Sequence, residues 1–401
     1  MPSMRNQTTR FLGQPHIPAL LIILMAACVD RVVFKVGQSD FVSIVAYGSV
    51  DDGPGPYQVE ISNAFEIDSD ARTSSEVSIK EVRIEDNAGN KEKLARVGKG
   101  IYATNPISGT IRGCPGRAYK LIIELPSGRI FESKPDTLRT SGTVDSVYFS
   151  FFSSVNPQSG KDEYGFDIFF DSSIGDEQNK YFLWKFTGTY QVETHPQFHR
   201  VPCDSVAKDC DNAFISCGCR EPLPCSGYVK RDTLDFPVSY YPCTCCTCWV
   251  NVYNKVPLIS DAQFIRNGHF RKILASRIPL TPYNFMFKLR AEIKQLNLSR
   301  QSFEFWKGIR DQKLAANSLF QPISGKIPAN FIQVAGSPSH IYGIFYAAGA
   351  SNKHTYIRQS DIPNPNLIPQ DAPFKYVNKI DFGSCLDFPH STNIKPSFWV
   401  D

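Results

Sequence analysis

From Phe285 to Lys294 one parity of the chain is wholly apolar (Phe285, Phe287, Leu289, Ala291, Ile293), and the other is charged apart from Met286. A helix would spread those charges over every face, whereas a strand puts them all on one side of a sheet. The same period-two alternation returns at Tyr57-Gln58-Val59-Glu60-Ile61 and at Val82-Arg83-Ile84-Glu85. The second of these runs into Asp86-Asn87-Ala88-Gly89-Asn90, whose residues tolerate positive φ and close a hairpin. Phe41 to Tyr47 is β-rich and ends in a loop from Gly48 to Pro56, and Tyr119 to Leu125 and Arg129 to Glu132 flank a Pro126-Ser127-Gly128 turn. Strands at roughly 8–12 residue spacing with polar tight turns predict a β-sandwich of immunoglobulin-like size over residues 41–140.

A chain of 401 residues is long enough for two domains. The polar stretch Lys134 to Thr143, which contains Pro135, reads as the linker. Beyond it, Tyr164 to Asp171 and Tyr181 to Phe186 are aromatic strands, in keeping with the preference of Phe and Tyr for pleated surfaces. Ser299 stands as the N-cap of one helix running from Gln301 to about Leu314, because Phe303, Trp306 and Ile309 recur at three-residue steps. Ile341 to Ala347 reads as a buried strand, with Gly343 marking the close approach of another backbone. The expected class is mainly β: an N-terminal immunoglobulin-like β-sandwich, then a larger β-rich domain over residues 141–401 with one short helix and a Cys-rich insertion at 200–250.

The first 28 residues bear on compartment. Arg5 and Arg10 form a positive head, an apolar run from Ile17 to Ala27 follows, and it stops at Cys28. The run is short of the roughly 20 residues that span a bilayer and has the layout of a cleaved secretory signal over residues 1–27, with 28–40 as a tether. Ala26-Ala27-Cys28 resembles the lipobox of bacterial lipoproteins, in which the cysteine is acylated and becomes the mature N-terminus; Met25 stands where that pattern usually has leucine. Cys28 is therefore the lipidation candidate, and the partner it implies is a membrane bilayer. Loss of residues 1–27 removes two arginines and no acids, leaving a net charge of +2, so nothing in the charge balance calls for nucleic acid.

Nine of the 12 cysteines crowd into one stretch: Cys203, Cys210, Cys217, Cys219, Cys225, Cys243, Cys245, Cys246 and Cys248. In an oxidising compartment these, with the isolated Cys114 and Cys385, are disulfide candidates. Setting Cys28 aside leaves an odd number, so at least one thiol stays free or pairs outside the chain. Adjacent Cys245 and Cys246 should take different partners, and the remaining connectivity stays open. Zinc is the competing reading, with His195 and His199 just upstream, but the spacings are not those of paired zinc knuckles. No metal and no cofactor is expected.

The remaining motifs are weak. His195-Pro196-Gln197-Phe198-His199 mimics an i,i+4 metal pair, yet Pro196 argues against a helix carrying both histidines. Gly98-Lys99-Gly100 lacks the rest of a phosphate loop and reads as a hairpin turn. Asp51-Asp52 and Asp68-Ser69-Asp70 lack the ligand series of a calcium loop and read as exposed turns. Tyr181, Phe182, Trp184, Trp249, Phe305 and Trp306 would serve either as a binding platform or as core, and exposure separates the two.

An ordered set of blocks resembles a Bacteroidota lipoprotein family designated domain of unknown function 4249. The blocks are Gly55 to Ser62, Val82 to Asn90, Gly100 to Thr104, Pro115 to Leu121, Asp145 to Tyr148, Tyr181 to Trp184, Phe303 to Lys307, Ser318 to Pro322 and Ile341 to Phe345. The dense Cys stretch departs from the commoner pattern of that family. The resemblance implies an outer-membrane lipoprotein of Gram-negative Bacteroidota, of a kind often encoded beside TonB-dependent transporters. It supplies no catalytic residues, so the expected function is a non-enzymatic accessory or binding component, with the transporter β-barrel as partner. The alternative is a surface adhesin or structural module that uses the insertion as a rigid contact element. A hydrolase is the third reading, and no motif supports it.

Overall fold

A computed structural model describes residues 43–63, 76–157, 160–176, 178–201, 219–231, 234–260, 265, 267–316, 327, 329–368 and 383–400. The leader, Cys28, the tether, Asp68 to Asp70, Cys203, Cys210, Cys217 and the block Ser318 to Pro322 lie outside the described residues.

The principal strands are β1 (Ser43–Asp51), β2 (Gln58–Asn63), β3 (Glu81–Asp86), β4 (Ala118–Glu124), β5 (Ile130–Ser133), β6 (Asp136–Thr137) and β7 (Val144–Val155). They continue with β8 (Asp162–Ser173), β9 (Phe182–Glu193), β10 (Thr247–Tyr253), β11 (His269–Pro279) and β12 (Lys288–Asn297). Helix α1 (Arg300–Ala316) follows, then β13 (Phe331–Ala335) and β14 (His340–Arg358). Among the described residues the class is mainly β with one α-helix, as the sequence predicts.

One large sheet organises the rest, with the path β10-β9-β12-β14-β1-β2 at its centre. All these pairings are antiparallel except β1 with β14, which is parallel. The long β14 holds two partners: its first half runs beside β1 from Ser43↔His340 to Asp51↔Ala348. Its second half runs beside β12 from Asn297↔Gly349 to Lys288↔Arg358. Gly343 permits the first pairing. Its φ is +99°, and a Cβ there would come within 2.0 Å of the Ala46 carbonyl oxygen, so the sequence reading of a close backbone approach holds. The pairing also extends β1 through Asp51, where a loop from Gly48 is expected: residues that look like turn chemistry become strand once a parallel neighbour satisfies their backbone.

Two smaller sheets cover one face of the large one. The first, with the path β13-β5-β4-β3, closes over Ile44, Ala46, Val59, Ile84, Leu121, Phe131 and Phe345. The second, β7-β8-β11, closes over Phe166, Ile168, Phe170, Trp184, Leu289, Ala291 and Ile293. Helix α1 lies on the opposite face, where Phe303 and Phe305 pack on Leu183, Leu296, Ile344 and Tyr346. Each such side chain gains about 1.5–3 kcal/mol on full burial. The residues of β12 show the logic: Leu289, Ala291 and Ile293 are fully buried between sheets, while Lys288, Glu292 and Lys294 face the other way.

The N-terminal sandwich exists, but strands from the far end of the chain complete it. β14 pairs with β1, and β13 pairs with β5, so the expected boundary near residue 140 lies between strands of sheets that both regions share. The stretch Lys134 to Thr143, expected as a linker, contains β6, which pairs with Ala118 and Tyr119. Ser299 caps α1 as predicted, its hydroxyl accepting from the Ser302 amide at 3.2 Å. The Ser299 and Ser302 hydroxyls donate to the buried Asp136 carboxylate at 3.1 and 2.9 Å, which fastens the helix start to β6.

Candidate functional site

The helix covers only part of its face of the large sheet. Beyond it, a cleft of about 610 Å³ opens over the sheet and the loop that follows β1. Period two decides what lines it. Ala46 and Val50 point into the sandwich, so Tyr47, Ser49 and Asp51 point outward; Trp184 and Phe186 are core, so Lys185 is not; Ala291 and Ile293 are core, so Glu292 and Lys294 face the cleft. Asp52, Ala350 and Asn352 complete the wall.

The charges here are arranged in pairs. Lys294 bonds to Asp51, and Arg290 bonds to Glu292. Asn352 Nδ2 donates to Glu292 at 2.7 Å. Burial works against the Glu292 carboxylate, but the bonds from Arg290 and Asn352 hold its pKa below the ordinary value. Lys185 is different. Its Nζ donates to the Tyr47 hydroxyl at 3.0 Å, and that hydroxyl lies 3.2 Å from the Tyr346 hydroxyl. The ammonium also sits 5.6 Å from the Tyr47 ring centroid and 5.8 Å from that of Trp306, within cation–π range. Burial opposes its charge, and the oxygens of Tyr346 and Tyr47 outweigh burial and raise its pKa. Among the described residues no carboxylate forms an ion pair with Lys185.

Asp51 and Asp52 are not the plain exposed turn the sequence predicts. Asp51 ends a strand and pairs across 243 residues with Lys294, and Asp52 Oδ1 accepts from the Ala350 amide at 2.7 Å. A second concavity, of about 360 Å³, lies between α1 and the segment Tyr253 to Pro257 and shares Lys185 with the first.

The cysteines form three bridges among the described residues: Cys225–Cys245, Cys243–Cys246 and Cys248–Cys385. Adjacent Cys245 and Cys246 take different partners, as expected, and Cys385 reaches the cluster across a separation of 137 residues. Cys114 is corrected from bridge candidate to free thiol. Its amide donates to the Tyr119 hydroxyl at 2.8 Å. Cys219 sits in the short strand Cys219–Arg220, paired with Arg200–Val201.

Among the described residues no group of three or more His, Cys, Asp or Glu could hold a metal ion. His199 Nδ1 lies 3.1 Å from the Glu221 carbonyl oxygen, and Pro196–Phe198 forms a single 3₁₀ turn between the two histidines. The aromatic platform is dismantled by burial: Phe182, Trp184, Trp249 and Phe305 are buried, and Tyr181 and Trp306 are half-buried against α1 and its neighbours. Among the described residues no helix is long and apolar enough to cross a membrane.

The sequence reading singled out neither Lys185 nor the cleft. The signal was present in the parity rule, since a lysine between Trp184 and Phe186 must leave the core side, but which other strands meet it is set by pairings over more than 100 residues.

No curated protein and no solved structure matches the chain. The family model described as Domain of unknown function (DUF4249) matches residues 29–354, most of the chain and all but the last few residues of its principal strands. The chain belongs to that family.

Proposed function

We propose that this chain is a non-enzymatic lipoprotein of the outer membrane of a Gram-negative member of the Bacteroidota. It is held to the bilayer through a lipid on Cys28 and serves as an accessory or binding component beside a TonB-dependent transporter. The observation that carries the reading is the family match, whose first residue, Val29, directly follows the lipobox-like Ala26-Ala27-Cys28. Three disulfides among the described residues fit an oxidising, exported setting. A cleft with polar side chains converging on it suits a binding role.

The test is capture of the tagged full-length chain from detergent-solubilised membranes of its native host. The expected result is co-purification of a large outer-membrane β-barrel, and loss of the chain from the membrane fraction on Cys28→Ala. Binding of the chain to cells or matrix with no barrel in the capture would overturn this reading in favour of an adhesin. Recovery of the unsubstituted chain in the soluble fraction would remove the anchor altogether.

A further inference from the structure

Two charged side chains that line the cleft have no ionic partner among the described residues, and they are of opposite sign. Asp51 is paired with Lys294, and Glu292 with Arg290. Lys185 has only phenol oxygens and ring faces around its ammonium. Asp52, exposed at the mouth of the same cleft, spends one oxygen on the Ala350 amide and forms no ion pair. A cation shielded from water gains most from a bound anion, because the desolvation it has already undergone is no longer a cost of binding. An exposed carboxylate at the rim gives a matching end for a positive group.

We propose that this cleft binds a small zwitterion, from a free amino acid to a short peptide in size, with its carboxylate at Lys185 and its ammonium at Asp52. The 610 Å³ volume falls within the range of small-molecule sites. Ser49 and Asn352, which line the same walls, offer hydrogen bonds between the two ends. The remaining charges in the walls are already neutralised in pairs, so the site favours a ligand with one charge of each sign over a simple anion. This inference rests on the reading of the chain as a binding component and names its ligand class.

The test is calorimetric titration of the whole protein, purified in detergent, with alanine, trialanine, N-acetyl-trialanine and trialanine amide. The expected result is saturable binding of alanine or trialanine, the two separating free amino acids from peptides. Blocking either end should weaken the binding by about tenfold or more. Asp52→Asn should weaken the free-ended ligand and leave the N-acetylated one unchanged. Lys185→Met should weaken the free-ended ligand and leave the amide unchanged. Asp52 is exposed, so its variant carries the test even if Lys185→Met disturbs packing. No saturable binding of either alanine or trialanine up to about 10 mM, or affinities that ignore Asp52→Asn, would overturn the proposal. A missing β-barrel in the capture experiment leaves this titration untouched, and a null titration leaves the capture untouched, so the two failures are distinguishable.

Discussion

Tyr119 is fully buried, and its phenol holds two backbone groups: it donates to the Arg112 carbonyl at 2.5 Å and accepts from the Cys114 amide at 2.8 Å. Tyr119→Phe leaves both without that partner and should cost about 1–3 kcal/mol in chemical denaturation. Burial also pushes the phenol up to about 12. The unfolded chain loses that proton first, so stability should fall as pH rises from 10 towards 12, and the Phe variant should show a shallower alkaline limb. Asp136 is the acidic counterpart. Burial raises its pKa above 3.8 against the pull of Ser302, Ser299, the Ala347 amide and Arg139. The folded state therefore holds this proton more tightly, and the group's contribution falls as pH rises from 3.8 through the folded value. Relative to the native chain, Asp136→Asn should gain stability as pH rises from about 3 to about 7, while Asp136→Leu, which strands three donors, should lose several kcal/mol throughout. Asp136 was illegible in the sequence because it looks like a polar linker residue, and the groups that donate hydrogen bonds to its carboxylate lie 163 residues away or more.

The strands themselves were largely legible. Gln58–Asn63 buries one parity as its alternation predicts, and the Asp86 to Asn90 hairpin closes through the Asp86 amide on the Asn90 carbonyl. The strand read from Phe285 begins at Lys288: Leu289, Ala291 and Ile293 are buried as the alternation predicts, but Phe287 is exposed and Arg290 and Leu296 of the other parity are buried, the latter under α1. What period two does not encode is the choice of neighbour. The second half of β14, Ser351 to Tyr356, is polar on both parities, so only its first half reads as strand; pairing with β12 makes the rest. Gly343→Ala tests the junction. The added methyl meets the Ala46 carbonyl oxygen in a backbone conformation that disfavours alanine, and a loss of about 2–4 kcal/mol is expected. Ser299→Ala, which removes a cap and one hydroxyl from Asp136, should cost about 1–2 kcal/mol and lower helical circular dichroism first on heating.

The disulfides act on the molecule as a whole, and their loop lengths rank them. Closing a 137-residue separation removes far more freedom from the unfolded chain than closing a separation of 3. The chain-entropy relation gives about 5 kcal/mol for Cys248–Cys385 and about 2 kcal/mol for Cys243–Cys246. Replacing both cysteines of the first bridge with alanine should therefore lower the denaturation midpoint more than the same change in the second, and equal losses would point to native-state packing instead. Cys248 and Cys385 are both fully buried in the core between the large sheet and β7-β8-β11, so the long bridge ties the insertion to the body of the protein. The dense cysteines were legible as bridge candidates; the connectivity was not, since Cys385 stands alone in sequence. We propose that this bridged β-structure is exported and that a lipid on Cys28 holds it at the membrane. Intact-mass and N-terminal peptide analysis of protein purified from native membranes decides the matter. The account predicts a chain that begins at Cys28 with residues 1–27 removed and a thioether-linked diacylglycerol on its sulfur; a retained leader, or an unmodified Cys28 thiol, would contradict it.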